Sequence, residues 1–184
     1  MGLLIHVRIP LLILAALFGL APGAGAQVTR EYSVKAAFLY NFASFVEWPE
    51  TAFAPAETAF VVGILGDDPF GNVLDEIVAG EKVKSRPLAI RRIRRVDEAE
   101  GCHILFVCAS ERRRVTEILN YCRSRPVLTV ADLPDFAEQG GVVGFRTEDN
   151  RLKIDVNMES ARAAGLTMSS KLLKLAHVIG GALP

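Results

Sequence analysis

Apolar positions recur along this chain with two different periods, and the changes of period mark its elements. Between residues 30 and 47, Val34, Phe38, Phe42 and Phe45 fall at helical spacing, with Leu39 and Val46 widening the stripe. Trp48-Pro49 ends that helix, because the residue before a proline is pushed out of the helical region. Phe60 to Leu65 is a short, continuous, β-branched run followed by Gly66-Asp67-Asp68-Pro69, which predicts a buried strand and a turn. A helix over 70–79 follows, with Val73, Leu74, Ile77 and Val78 inward and Gly80 at its end, and then a strand over 86–93. Cys102 to Cys108 reads as a second buried strand. Ser110 is placed to cap a helix over 111–123, in which Val115, Ile118, Leu119 and Cys122 share a face.

The remainder alternates in the same way. Pro126 to Val130 predicts a third buried strand. After Gly140-Gly141, the arms Val142–Phe145 and Leu152–Val156 predict a hairpin turning at Thr147-Glu148-Asp149-Asn150. Two helices, over 157–164 and 168–179, are expected to close the chain, the last with Met168, Leu172, Leu175, Ala176 and Ile179 on one face. Strands alternating with helices imply an α/β fold. The expectation is a single-domain three-layer sandwich, its sheet mostly parallel with an antiparallel hairpin at one side.

The first 26 residues stand apart from this pattern. Arg8 precedes an apolar run from Ile9 to Leu20, and Ala24-Gly25-Ala26 offers a small-x-small cleavage site. The run is too short for the ~20 residues that span a bilayer. A signal peptide over 1–26, cleaved after Ala26, and a single α/β domain over 27–184 with its core at about 30–180 are therefore expected, with the mature chain in a bacterial periplasm or the exterior. The whole chain balances 21 basic against 21 acidic side chains. That argues against a dedicated nucleic-acid binder, which needs a basic excess.

Little in the chain reads as catalytic. Gly63 to Gly71 lies where α/β folds bind phosphates, but it is not G-x-G-x-x-G, and Asp67 and Asp68 would repel an anion. These residues read as a turn in which Asp68 caps a helix. His103 and His177, the histidines left after cleavage, lack metal-ligand spacing, and no G-x-S-x-G is present. No cofactor and no metal are expected. The basic run Arg91-Arg92-Ile93-Arg94-Arg95 lacks interleaved aromatics and reads as a solvated strand end.

The cysteines say more. Cys102 and Cys108 mark the two ends of one strand, about 20 Å apart, too far for a bond. The helix after that strand runs back and returns Cys122 to the Cys102 end. Cys102–Cys122 is the bridge this geometry favours in an oxidising compartment; the alternative is three unpaired core cysteines.

Several stretches taken in order resemble the YfiR family of periplasmic regulators. They are Lys35 to Phe42 with Val46-Glu47-Trp48-Pro49, Gly63 to Gly71, Cys102 to Phe106, Val127 to Val130, Gly140-Gly141 and Ala164 to Ala176. The resemblance implies a non-enzymatic, dimeric periplasmic protein. It would bind the periplasmic sensor domain of an inner-membrane diguanylate cyclase and hold it inactive, lowering cyclic di-GMP and biofilm formation. An outer-membrane lipoprotein would sequester it. The family's type member carries two disulfides, whereas three cysteines here allow at most one. For a partner surface the expected residues are Tyr40, off the inward stripe of the first helix, and Trp48, at the end of that helix before Pro49, where the chain turns and a large ring is hard to bury. The competing reading is a periplasmic small-ligand module using the crevice near Gly66–Phe70 and Cys108–Ser110.

Overall fold

Phe60 to Leu65 has no polar side chain, as suits a strand paired on both edges and covered on both faces. In the structure, a computed structural model that describes residues 24–53 and 59–180, this run lies inside the main sheet. The expected signal segment lies, up to residue 23, outside the described residues. In chain order the elements are α1 (Ala24–Phe45), β1 (Val46–Glu47), β2 (Phe60–Leu65), α2 (Val73–Val78), β3 (Lys82–Val83), β4 (Arg86–Ile93) and β5 (Ile104–Val107). They continue with α3 (Val115–Cys122), β6 (Leu128–Ala131), β7 (Val143–Glu148), β8 (Arg151–Asn157), α4 (Met158–Ala163), β9 (Thr167–Met168), α5 (Ser170–Leu173) and β10 (His177–Ile179).

The eight-stranded sheet has the order β10-β8-β7-β6-β5-β2-β4-β3. β4, β2, β5, β6 and β7 are mutually parallel. β8 returns antiparallel from β7, and β3 is antiparallel to β4. A separate pair joins β1 to β9, with Val46 opposite Met168. Side chains alternate between two apolar layers. Phe60, Val62, Ile64, Ile104, Phe106, Leu128 and Val130 meet α1 and α2 on one face. Leu65, Leu105, Val107 and Ala131 meet α3 on the other. The fold is thus the expected α/β arrangement of helices on both faces of a mostly parallel sheet.

The β7–β8 hairpin turns on two residues, Asp149 and Asn150, with φ of 50° and 58°. Positive φ at both central positions defines a type I′ turn, whose twist suits the strands it joins. The turn is therefore tighter than the four residues expected, and the arms are longer.

Three local expectations are corrected. Ser110 does not cap its helix: its Oγ accepts the Asp67 N–H at 2.9 Å, and the segment opens with a 3-10 turn, Ala109–Arg114, before α3. Val34 points outward, 43% exposed, while Lys35 takes the buried position beside it. The helix expected over 168–179 is broken into pieces. Met168 belongs to β9, the Ser169 Oγ accepts the Leu172 N–H over one turn of α5, and His177–Ile179 pairs in parallel with Asp155–Asn157 of β8. Local helix preference in Lys171–Ala176 is outweighed by the main-chain partners that the edge of β8 offers. Leu175, expected inward, is 64% exposed as a result.

Candidate interaction surface

β2 is followed by β4 on one side and by β5 on the other, so the chain reverses direction across the sheet beyond Leu65 and Val107. That is the crevice in which such folds bind ligands. Here it is closed. A Cβ on Gly66, whose φ is +101°, would lie 2.3 Å from Ser110 Oγ and 2.9 Å from Glu111 Cγ.

Two motifs distant in sequence meet beside it. Arg92 bonds Asp68 at 2.7 Å, both oxygens of Asp75, and the Gly71 carbonyl. Arg94 bonds Asp67 at 2.7 Å. The acidic turn and the basic run therefore neutralise each other. The Arg92 hydrogen bond holds the Asp75 carboxyl below its usual range. Asp68 Oδ1 accepts the Phe70 N–H, shaping the turn ahead of α2. Exposed pairs of this kind contribute at most about 1 kcal/mol each. Their consequence is to fix where the arginines point.

At the carboxyl end of β6, α1 is tied to the sheet by charge. Lys35 is 3% exposed, and its Nζ lies 2.6 Å from Glu31 and 2.7 Å from Asp132. The Tyr32 hydroxyl donates to Asp132 Oδ2 at 2.7 Å, and the Lys35 ammonium sits 4.4 Å from the Tyr32 ring centre. Burial, then the bond to Asp132, pushes the Tyr32 phenol well above its ordinary pKa. This cluster opens onto a cavity of about 510 Å³ that also meets Arg146, Asp155 and His177. Asp155 is engaged there by Arg146 at 2.9 Å and by His177 Nδ1 at 3.3 Å. The cluster was not anticipated from sequence. The available signal was Lys35 itself, four and seven residues before the buried Leu39 and Phe42.

At the opposite end, Trp48 is not a surface residue. It is 8% exposed, meets Phe60 edge to face at 5.0 Å, and donates from Nε1 to the His103 carbonyl at 3.1 Å. The chain turns at Pro49 but folds the ring under the sheet, because β1 pairs with β9 and carries it there. His103, 4% exposed, stacks between Phe60 and Phe53 at 4.6 and 4.8 Å, and its Nδ1 accepts the Val61 N–H. Burial lowers its pKa from 6.5 to about 4. The unfolded chain therefore protonates this imidazole before the folded one does. His103 costs no stability above pH 6.5 and removes about 3 kcal/mol as pH falls from 6.5 to 4. Urea melts across that window are expected to flatten in His103→Phe relative to the parent; equal slopes would place the imidazole in water.

Tyr40 is half-buried, and its hydroxyl donates to Glu81 Oε2 at 2.7 Å beside β3. That bond raises its pKa. Of the aromatic residues expected to pack inward, Phe42 is fully buried, stacked 5.9 Å from Phe145, whereas Phe38 and Phe45 are half-buried. Cys102, Cys108 and Cys122 are all buried free thiols, so the expected Cys102–Cys122 bond is not formed in this structure. The helix does return Cys122 toward Cys102, which bears on its ionisation. Burial raises the pKa of Cys122 to about 11 and that of Cys108 to about 12, which keeps both protonated and unreactive.

Residues 32–177 match the YfiR/HmsC-like family, and the chain belongs to that family. The family is regulatory rather than catalytic, and its theme is cyclic di-GMP signalling. Among solved structures, a conserved domain protein from Vibrio cholerae O1 biovar El Tor has a similar fold, with a TM-score of 0.50 at 8% identity. The likeness covers 80% of this chain and 59% of that one, so the chain spans under two thirds of that protein's length. Comparison with curated proteins returns no match.

Proposed function

We propose that this protein is an exported regulator that binds the periplasmic sensor domain of an inner-membrane diguanylate cyclase and holds the enzyme inactive. The observation that carries this reading is membership of the YfiR/HmsC-like family over residues 32–177. The leader-like residues 1–26 are consistent with export. The protein works as a homodimer, and an outer-membrane lipoprotein withdraws it from the cyclase. Tyr40, half-exposed on α1, belongs to the contact surface.

Deleting the gene is expected to raise cellular cyclic di-GMP and surface attachment, and the exported protein, restored, is expected to reverse both. The same chain without residues 1–26, held in the cytoplasm, is expected to reverse neither. Unchanged nucleotide levels on deletion, or full rescue by the cytoplasmic chain, would reject the reading.

A further inference from the structure

The outer edge of the sheet leaves main-chain groups unused. β3 covers only the start of β4, pairing Lys82 with Pro87 and Val83 with Arg86. On the other side, β4 pairs with β2 along Leu88–Ile93. Successive residues of such a strand turn their main-chain groups to opposite edges. Two bonds fix which residues face outward. The Ile93 carbonyl accepts the Gly66 N–H, toward β2, whereas the Leu88 N–H donates to the Glu81 carbonyl, away from it. Ile90 and Arg92 share the parity of Leu88. Their N–H and C=O groups face outward, and no strand among the described residues meets them.

Charged side chains commonly guard an open edge of this kind. Here the two nearest are tied back. Arg92 is held over α2 by Asp68, Asp75 and the Gly71 carbonyl. Arg91 is held on the other face by the Glu98 and Glu100 carbonyls. The edge is open, and over residues 81–93 the cations Lys82, Lys84, Arg86, Arg91 and Arg92 stand against the one acid Glu81, with Arg92 neutralised by Asp68 and Asp75. Arg91 bonds carbonyls rather than a carboxylate, and Lys82 and Lys84 pair with no acid among the described residues. A second copy pairing edge to edge would set these cations against their own counterparts, which disfavours it. An acidic strand would meet them with opposite charge.

We propose that the outer edge of β4, at Ile90 and Arg92, takes up an extended acidic segment of a protein partner as an added strand. Main-chain bonds supply the attachment and Lys82, Lys84 and Arg91 select the charge. Tyr40 and its partner Glu81 adjoin this edge, since the Glu81 carbonyl accepts the N–H of Leu88, two residues before the first free position, Ile90. The proposal rests on the reading that the protein acts by contact with another protein, but not on that partner being a cyclase.

The test uses the full chain and two capped nine-residue peptides, one alternating glutamate with valine and the other lysine with valine. Hydrogen exchange at the Ile90 and Arg92 amides is followed with each. The acidic peptide is expected to slow both by at least about tenfold, and the lysine peptide to leave them unchanged. Ile90→Pro removes an outward N–H that the fold does not use but also the packing of a half-buried side chain, so it is expected to lower the melting temperature modestly and lose the effect. Lys82→Glu with Lys84→Glu keeps the edge, reverses its charge, and decides the matter should the proline variant fail to fold; it is expected to weaken acidic-peptide binding at least about tenfold. Protection of both amides in the free chain, no protection by the acidic peptide, or equal protection by both peptides would overturn the proposal. These readouts do not involve cellular cyclic di-GMP, so the edge can fail while the deletion phenotype stands, and the reverse.

Discussion

Trp48→Ala is expected to lower the stability of the protein by about 3–5 kcal/mol, with no selective loss of partner binding. The ring is nearly sealed from water and closes one end of the larger apolar layer against Phe60. Truncation would leave a cavity between β1 and the starts of β2 and β5, where the strand pairings resist collapse. The hydrogen bond to the His103 carbonyl is the smaller part, since that carbonyl also accepts the Leu128 N–H and stays satisfied without the indole. Trp48→Phe should therefore recover most of the loss and fall short by about 1 kcal/mol. Phe42→Ala, fully buried against Phe145, is expected to cost as much as Trp48→Ala. Tyr40→Ala gives up one exposed hydrogen bond and the packing of a half-buried ring, and should cost less than Phe42→Ala. Denaturant melts of the four variants check the ranking. A Trp48→Ala protein as stable as the parent would contradict the burial of the ring.

Lys35→Met is expected to cost about 3 kcal/mol, because it leaves Asp132 nearly buried without its cation. The methionine keeps most of the side-chain volume, so the loss isolates charge from packing. Asp132→Asn should cost less. Glu31 remains 2.6 Å from the Lys35 ammonium, and the amide oxygen can still accept from Tyr32. A double-mutant cycle between the two positions is expected to return a coupling of at least about 1 kcal/mol. Additive losses would mean that the pair, though close, does not join α1 to β6.

Some elements were legible from local pattern alone because one period dominated them. β2 and β4 fall on the residues expected, Phe60–Leu65 and Arg86–Ile93, since a run of apolar or alternating side chains between turn residues has few other uses. The hairpin was legible for the same reason, and its Asp149-Asn150 turn tolerates the positive φ that a tight reversal needs. α3 was legible from one apolar face, although its first turn is tighter than an α-helix. The site was less so. Tyr40 is half-exposed as its position off the stripe suggested, whereas Trp48, expected to be exposed because the chain turns at Pro49, is buried.

The sequence by itself determined the class of the fold, the position of its central strands and the regulatory family to which the chain belongs, because each is written in local periodicity or in ordered short motifs. Only the tertiary structure decided what depends on groups far apart in the chain. The β1–β9 pair sends Trp48 inward, and the edge of β8 draws His177–Ile179 out of a helix. Arg92 and Arg94 find Asp68, Asp75 and Asp67, and Lys35 finds a counter-charge 97 residues away in Asp132. Helix preference and amphipathic spacing act over a few residues and are worth tenths of a kcal/mol each. Strand pairing and buried charge are worth more and depend on partners that folding alone brings together, so they prevail wherever the two disagree.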